Sequence, residues 1–583
     1  MFFADLLNFG SISFATSAPT STGNQMSDWV TGQISAFEQD TPYVTHLSTW
    51  HYAAFLQDNY RITPRFTANL GIRWDIDTPP VDAHNRTASF TPGQQSTINP
   101  TAPVGMTFPG DKGVTRGIIG VPLYHVSPRI GFAWDPFGDG KTAVRAGAGI
   151  FYGTTAGNEW NQPGNAAPFA IREGFGPQPS LTNIYGGPAD NFVNTSPGGG
   201  IFPYVYTPGN PKFFPQAAIE SIGTNMKYPY IYQVNLAVQR QLPAKVSLTT
   251  AYVGTFSHNV PTMIDANYAP YSTAFGAPST KSSSIDLRRQ FDAGPAGTLG
   301  TIGQNIFLIP GQTANYNSLQ ISATKPLSHG LTLSGFYVWS HALQSSNESA
   351  DGQMTAQDFG YFGQPFTASN NSLGALGGGL KEEKGDMDAN HDSNASISAM
   401  WNIDYFRGTN KVLKGILNGW SITPVLYMTS GGPFSITTGS TKNDDSAGAN
   451  RPDAVAGVSP KLDAHRCRVC SSPNSELKAW FNTAAFTANG SGVTGGIGPG
   501  GADGNVGRDS LIGPGLRDLD AGLFREVHFE RGLVFQFRAE FTNVLNWVSL
   551  ANPAASLSSG TDGQITGAQG TQRLIQLGGR LTF

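Results

Sequence analysis

Apolar and polar residues alternate one by one in several long stretches of the chain. The clearest stretch is residues 66–77, in which one face consists of Phe66, Ala68, Leu70, Ile72, Trp74 and Ile76. Twelve residues alternate without an exception, and a period of two indicates a β-strand rather than a helix. A strand of this length with one apolar and one polar face can cross a membrane, with the apolar face toward lipid.

The same unit recurs along the chain, mostly as pairs of strands joined by short turns. A strand over about 50–61 precedes the first and is joined to it at residues 63–65. Further alternating segments lie at about 130–134, 142–150, 232–239, 246–252, 319–323, 331–339, 395–405, 420–428, 519–523, 533–541 and 577–583. The pattern predicts about fourteen strands or more, since weak ones escape this test.

The connections between these segments fall into two classes. Some are turns of a few residues, such as residues 135–140, whereas others are long tracts rich in Gly, Pro, Ser, Thr and Asn. The long tracts are about 78–127, 154–228, 256–315, 343–392 and 439–515. Short turns at one end and long loops at the other are typical of an outer-membrane barrel. A soluble propeller is the alternative, but we find no blade-like repeat of about 40–50 residues. We therefore predict an all-β fold, a large antiparallel transmembrane β-barrel with long extracellular loops.

Composition supports this fold class and excludes others. Charged residues make up only 13% of the 583 residues, aromatic residues make up 11%, and the chain contains 71 Gly and 39 Pro. The aromatic content is too high for a disordered chain. A mean hydropathy of −0.21, without an apolar run of 18 residues, excludes a bundle of transmembrane helices. The net charge of −4 gives no electrostatic reason to expect a nucleic-acid partner.

The C-terminus has the pattern of a barrel assembly signal. A polar residue is followed by a glycine two positions later, and apolar residues occupy the third-last and last positions: Gln576, Gly578, Leu581 and Phe583. This pattern looks like the β-signal that the outer-membrane barrel assembly machinery recognises. We therefore expect a terminal strand that must pair with the first strand to close the barrel.

Several segments resemble one family, the TonB-dependent receptors, and within it the Oar-like proteins with large barrels. The matching segments are residues 55–65 (FLQDNYRITPR), 70–74 (LGIRW), 127–134 (SPRIGFAW), 144–152 (VRAGAGIFY), 418–420 (NGW), 430–434 (SGGPF), 504–508 (GNVGR) and 537–546 (FRAEFTNVLN). Together they cover the chain from about residue 45 to its end. Family members usually have Asn-Ser after the last arginine of the GNVGR segment, where this chain has Asp509 and Ser510.

The resemblance implies a domain organisation. Residues 45–583 correspond to the receptor-like barrel, and residues 1–44 to a partial N-terminal barrel segment or loop. Family members carry a secretory signal, a TonB-contacting box and a plug domain ahead of a 22-stranded barrel. The opening residues 1–10 resemble the interior of such a barrel and lack the basic start of a signal peptide. We therefore expect a C-terminal part of a longer receptor, without its plug.

The resemblance also implies a function and partners. A receptor of this family binds a bulky ligand, such as a glycan, peptide or metal chelate, at its loops and imports it. The implied partners are outer-membrane lipid, the barrel assembly machinery, an extracellular ligand, and the TonB complex through the missing plug. The alternatives are a plugless surface adhesin or binding barrel and a passive porin. We find no catalytic arrangement, and we predict neither an enzyme nor a cofactor.

Three loop motifs have competing interpretations. Cys467 and Cys470, the only cysteines, form a C-x-x-C that fits a loop disulfide best, with a metal site or free thiols as the alternatives. The segment 496–501 formally matches G-x-G-x-x-G, but no strand and helix flank it, so we interpret it as a flexible loop. An acidic cluster with one histidine fits a solvated strand entry better than a calcium site: Asp386, Asp388, His391 and Asp392.

Strand alternation also predicts which charged and polar side chains face the lumen. They lie on the face opposite the apolar residues of their strands: Arg73, Asp75, Asp77, Arg145, Gln536, Arg538 and Glu540. In barrels such residues tune the lumen or contact a plug.

Overall fold

The computed structural model describes most of the chain. The described residues are 9–40, 45–154, 160–170, 172–175, 181, 206–209, 211, 213, 217–267, 289, 291, 302–345, 384–437, 452–462, 479–487, 506–529 and 532–583.

Among the described residues, thirteen long strands form the wall, each hydrogen-bonded to the next in chain order. They are β1 (His51–Thr63), β2 (Phe66–Asp77), β3 (His125–Trp134), β4 (Thr142–Tyr152), β5 (Tyr230–Gln241), β6 (Ser247–Asp265), β7 (Ile302–Ser328), β8 (Leu331–Gln344), β9 (Ser393–Ile403), β10 (Trp420–Thr429), β11 (Leu516–His528), β12 (Val534–Thr542) and β13 (Leu574–Thr582). All twelve ladders between consecutive strands are antiparallel. The predicted antiparallel barrel wall is confirmed.

Four short strands extend the same sheet to seventeen strands. They are Ser89–Phe90, Met106–Thr107, Ala217–Ile222 and Gly385–Asp386. A separate sheet contains Ser11–Ser13, Ala36–Asp40 and Arg172–Phe175. The remaining strands form pairs, which are Leu47–Ser48 with Val81–Asp82, Pro433–Phe434 with Leu511–Ile512, Asp453–Ala454 with Phe486–Thr487, and Ser549–Leu550 with Ala568–Gln569.

Helices in the described part of the chain are few and short. Gln25–Thr31 forms α1 and Lys411–Leu417 forms α2, and 3-10 turns lie at Gln162–Asn165, Pro243–Lys245 and Thr483–Ala485. Within the described ranges, no helix is long and apolar enough to cross a membrane.

The register places one face of every wall strand in a continuous apolar band. One row of this band runs across seven strands as Ala68, Phe132, Ala146, Leu236, Tyr252, Leu319 and Trp339. The neighbouring row on the other face is small or polar except at one position, with Asn69, Gly131, Gly147, Asn235, Val253, Ser318 and Ser340. The first face is therefore the lipid-facing side and the second is the lumen-facing side.

Short and long connections alternate strictly along the wall. The six short ones join β1 to β2, β3 to β4, β5 to β6, β7 to β8, β9 to β10 and β11 to β12. The six long ones span residues 78–124, 153–229, 266–301, 345–392, 430–515 and 543–573. The long connections mark the extracellular end, as predicted, and the sixth is one that the sequence pattern did not reveal.

Three predicted connections differ from the structure. Residues 256–265 and 302–315 are strand, because β6 and β7 continue beyond the band and pair with each other. The strand Ala217–Ile222 also pairs in parallel with the outer part of β7. The predicted turn before Trp420 contains α2, whose first turn is capped by the Asn410 side chain.

Candidate functional site: the extracellular end of the wall

The described parts of the long connections pack into a layer with its own core. Phe90 contacts Phe307 edge to face, with ring centroids 6.4 Å apart. Phe108 contacts Phe169 in the same way, with ring centroids 5.9 Å apart. The buried members of this cluster are Ala88, Phe90, Ala102, Met106, Phe108, Ala167, Phe169, Ala170, Ile219, Ala266, Ile302, Phe307 and Ile309. Segments predicted only as Gly- and Pro-rich loops therefore form an ordered structure over the wall.

A buried carboxylate holds the loop of residues 94–111 together. The Asp111 carboxylate accepts hydrogen bonds from the Ser96 hydroxyl at 2.7 Å, the Thr97 backbone at 2.7 Å and the Phe108 backbone at 2.9 Å. Burial alone would raise its pKa, but the bonds from Ser96, Phe108 and Thr97 hold the pKa of Asp111 below its ordinary value. These hydrogen bonds tie the two ends of the loop to one carboxylate and so fix its conformation.

Glu220 is a buried carboxyl group without such support. It lies in the strand between β7 and Ser89–Phe90, and its Oε2 atom has no hydrogen-bond partner among the described residues. Its neighbour Ser221 donates to the Asn305 side chain at 2.7 Å. Burial raises the pKa of Glu220 to about 8, so the side chain is neutral at pH 7. Sequence alternation did not identify it, because its burial depends on packing between distant connections.

A histidine–aspartate group lies where β1, β2 and β3 reach the extracellular end. His51 Nδ1 lies 2.6 Å from Asp77 Oδ1, and His125 Nδ1 lies 3.7 Å from Asp77 Oδ2. The buried His125 ring stacks on Tyr152, with centroids 4.4 Å apart, and meets Tyr228 edge to face. Aromatic packing therefore fixes this corner of the rim.

The predicted lumen-facing charges lie on the lumen-facing side. Arg73 Nε lies 2.9 Å from Asp75 Oδ1, and Arg145 donates to Gln239 Oε1 across the β4–β5 ladder at 3.0 Å. A second chain of contacts crosses from β11 to β12, because Gln536 donates to Glu526 at 2.8 Å and accepts from Arg538 at 2.8 Å. The lumen wall is thus lined by polar groups that hold one another in place.

The acidic cluster near residue 390 contacts a histidine and an arginine at the rim. His341 lies 3.4 Å from both Asp386 and Asp392, and Arg508 lies 3.7 Å from Asp388. His391 Nδ1 donates to the Ser430 carbonyl at 2.7 Å. No three metal-ligating side chains converge in the part of the chain that the structure describes. Arg508, which also pairs with Asp509, is the contact that the sequence pattern did not predict.

The other predicted site residues divide into two groups. Cys467, Cys470 and residues 496–501 lie outside the described residues. Gln576, Gly578 and Leu581 lie in β13, opposite Glu540, Arg538 and Phe535 of β12. The role of Gln576, Gly578, Leu581 and Phe583 as an assembly signal stays a prediction.

Comparison with solved structures finds outer-membrane transporters and receptors of much greater length. The chain is 9% identical to the outer membrane transporter YddB from Escherichia coli, with a TM-score of 0.41, covering 91% of this chain and 44% of that one. It is 10% identical to BauA, the ferric preacinetobactin receptor from Acinetobacter baumannii, with a TM-score of 0.36, covering 94% of this chain and 43% of that one. It is 12% identical to the ferric-catecholate import receptor Fiu from E. coli, with a TM-score of 0.34, covering 93% of this chain and 45% of that one. The chain therefore spans less than half of each of these proteins.

No curated protein matches the sequence. The family model described as an outer membrane beta barrel domain matches residues 2–576, nearly the whole chain. The match agrees with the antiparallel wall, its apolar outer band and its alternating short and long connections. The chain belongs to the outer membrane beta barrel domain family and lies in the bacterial outer membrane.

Proposed function

We propose that this chain is the C-terminal barrel part of a TonB-dependent receptor that takes up a bulky ligand such as a glycan, peptide or metal chelate. The observation that supports this proposal is that each end strand of the wall, β1 and β13, has only one hydrogen-bonded neighbour among the described residues. Both strands have an open edge, which supports a barrel of more than thirteen strands.

The two end strands each lack a second neighbour. Although the seventeen strands group as a barrel, the backbone register joins β1 only to β2 and β13 only to β12 among the described residues. Phe55 and Leu56 point to opposite faces of β1, yet their exposures are 73% and 74%. Every residue of β1 is exposed, and so is every residue of β13 except Gly578. Strands with two neighbours do not show this exposure, so we treat β1 and β13 as open edges.

The direction of these edges limits how the wall can close. Thirteen strands with antiparallel neighbours place β1 and β13 in the same direction, so a direct ladder between them would be parallel. Bacterial outer-membrane barrels of a single chain have an even number of antiparallel strands. An odd number of additional strands is therefore needed. A wall of about 22 strands, the size of plugged outer-membrane transporters, would need about nine more.

A second copy of the chain does not solve this problem. Two copies in the same membrane orientation would meet at two junctions. At each junction β1 of one copy would lie beside β13 of the other, and the two strands would be parallel. We therefore assign the additional strands to a segment of the same receptor that precedes residue 1, together with a plug and its TonB-contacting box.

The lumen side supports import of a polar ligand. It carries ion-paired and hydrogen-bonded side chains, and the packed extracellular layer lies above it. A plugged barrel holds its ligand at the loops until energy from the inner membrane moves the plug.

The first test uses native outer membranes and an antibody against β12 and β13, comparing unheated with boiled samples on a gel. We expect a heat-shifted band well above the 61.9 kDa of this chain. A heat-shifted band at that mass would indicate a plugless adhesin or a porin instead, and a band without a heat shift would contradict the barrel itself.

A second test separates a receptor from the other barrels. Planar bilayers containing the full protein should show little conductance, because a plug occupies the lumen. Open-channel conductance would favour the porin, and ligand uptake that is unchanged in a strain lacking TonB would contradict energised transport.

A further inference from the structure

A groove opens on the lipid-facing side of the wall near its extracellular end. It has a volume of about 660 Å³, and its lining includes Tyr337, Ala395, Met428, Trp480, Arg517 and Leu550. Its floor lies on the lipid-facing side, across the wall from the lumen, so neither transport nor the plug accounts for it.

The floor of the groove is one row of the apolar band. Tyr337 of β8 is paired with Ala395 of β9, Ala395 with Met428 of β10, and Met428 with Arg517 of β11. All four side chains belong to the lipid-facing set, and Tyr337 and Met428 are exposed. The floor is therefore a surface that lipid contacts.

Two long connections form the sides. Trp480 comes from the connection between β10 and β11, and its indole nitrogen is fixed by a 2.9 Å bond to the Ile512 carbonyl. Ser549 and Leu550 come from the connection between β12 and β13, and the Arg517 backbone donates to the Ser549 hydroxyl at 3.2 Å. These bonds hold the sides in place, so the groove is a built feature of the fold.

Arg517 is a cation in the same row as the other floor residues, next to Met428 at one end of that row. Its guanidinium lies over the Trp547 ring, 5.2 Å from the centroid, and among the described residues no carboxylate forms an ion pair with it. Asp518, the next residue, belongs to the lumen-facing set. An arginine at this level faces the headgroups of the outer leaflet, and its guanidinium matches the geometry of a phosphate group.

We propose that the groove binds a phosphorylated lipid of the outer leaflet. An acyl chain lies along Tyr337, Ala395 and Met428 between the two connections, and the Arg517 guanidinium holds the phosphate. The positive charge of Arg517 favours an anionic headgroup, and the apolar groove favours a headgroup that carries an acyl chain.

The test uses the full protein in phosphatidylcholine nanodiscs that contain a small fraction of bis-phosphorylated lipid A. Native mass spectrometry then reports the lipid A retained on each barrel. We expect Arg517→Gln to lower retention roughly tenfold, the order of one charge-assisted contact. Ala395→Trp, which fills the groove and keeps the cation, should lower it as well.

The matched control is Arg525→Gln. Arg525 faces lipid on the same strand, lies over Trp420 and is at the opposite membrane surface. The Arg525→Gln variant should retain as much lipid A as the wild type. A heat-shifted band on a gel checks that every variant is folded. Equal retention by folded Arg517→Gln and wild type, or equal loss in both arginine variants, would overturn the proposal. Displacement by millimolar inorganic phosphate would also overturn it, because it would indicate an anion site without a role for the chain.

Discussion

Arg517 and Arg525 lie on the same lipid-facing side of β11, eight residues apart, and each guanidinium lies over a tryptophan ring. The distances to the ring centroids are 5.2 Å for Trp547 and 5.1 Å for Trp420. Eight strand residues span about 26 Å along the strand, or roughly 20 Å along the membrane normal at the usual strand tilt, which is most of the roughly 25 Å height of the apolar band. The two arginine–tryptophan pairs therefore lie near the two membrane surfaces on this strand.

This relationship locates the middle of the membrane on neighbouring strands. Ile397 and Trp401 of β9 are paired through β10 with Leu519 and Leu523 of β11, between the two arginines. Ala399, between Ile397 and Trp401, faces lipid near the midplane. A charge at this position has no route to water.

We expect Ala399→Arg to destabilise the folded barrel by about 2–4 kcal/mol, the cost of an arginine at the bilayer midplane. Ser398→Arg is the matched control, because Ser398 faces the lumen and an arginine there stays hydrated. Ser398→Arg should change the free energy of unfolding by about 0.5 kcal/mol or less. Unfolding by denaturant in lipid vesicles measures both, and equal losses would contradict the assignment of the two faces.

The wall was predictable from sequence because its environment repeats every two residues. Lipid on one side and water on the other impose the alternation in residues 66–77, and the structure has a strand with the same bounds. The outer part of β7 lies beyond the membrane and is covered on both sides. It therefore contains the continuous apolar run 306–309, which carries no such alternation.

The extracellular layer was much less predictable. Its core joins residues that are far apart in sequence, such as Phe90 and Phe307, and local pattern contains no information about such pairs. Glu220 illustrates this point, since nothing near it in sequence indicates that its carboxyl group is buried. The helix α2 did have a local signal, because Asn410 is a favourable N-cap residue.

Glu220 should make the stability of the extracellular layer depend on pH. Its pKa is about 8 when folded and 4.5 when solvated, so the folded layer holds an extra proton between these values. Stability is therefore fully present below about pH 4.5 and falls as the pH rises toward 8. At 1.36 kcal/mol per pKa unit, the loss is at most roughly 5 kcal/mol.

Hydrogen exchange in the strand Ala217–Ile222, corrected for intrinsic rates, measures this effect. We expect protection in the wild type to fall between pH 5 and pH 8.5. Glu220→Gln has nearly the same shape and cannot ionise, so its protection should change much less. A wild type and variant with the same pH dependence would show that Glu220 is not the titrating group.

The cysteine pair gives a separate prediction. Cys467 and Cys470 are the only cysteines in the chain, and a loop on the extracellular side lies in an oxidising environment. We expect a maleimide reagent to label the unfolded, unreduced protein only after reduction. Labelling without reduction would mean free thiols, and labelling that is blocked by bound zinc would favour the metal interpretation.

The final prediction concerns Phe583 and assembly of the barrel. Its side chain is 99% exposed and follows the lumen-facing Thr582, so it faces lipid and its removal deletes little packing inside the wall. We therefore expect Phe583→Ala to leave the unfolding free energy nearly unchanged while the amount of heat-shifted barrel in outer membranes falls. Thr582→Ala is the matched control, since Thr582 lies opposite Val534 on the lumen-facing side. If both variants assemble as the wild type does, the C-terminal signal is not read at its last residue. If Phe583→Ala instead lowers the stability of the purified barrel, the residue acts by packing and not by recognition.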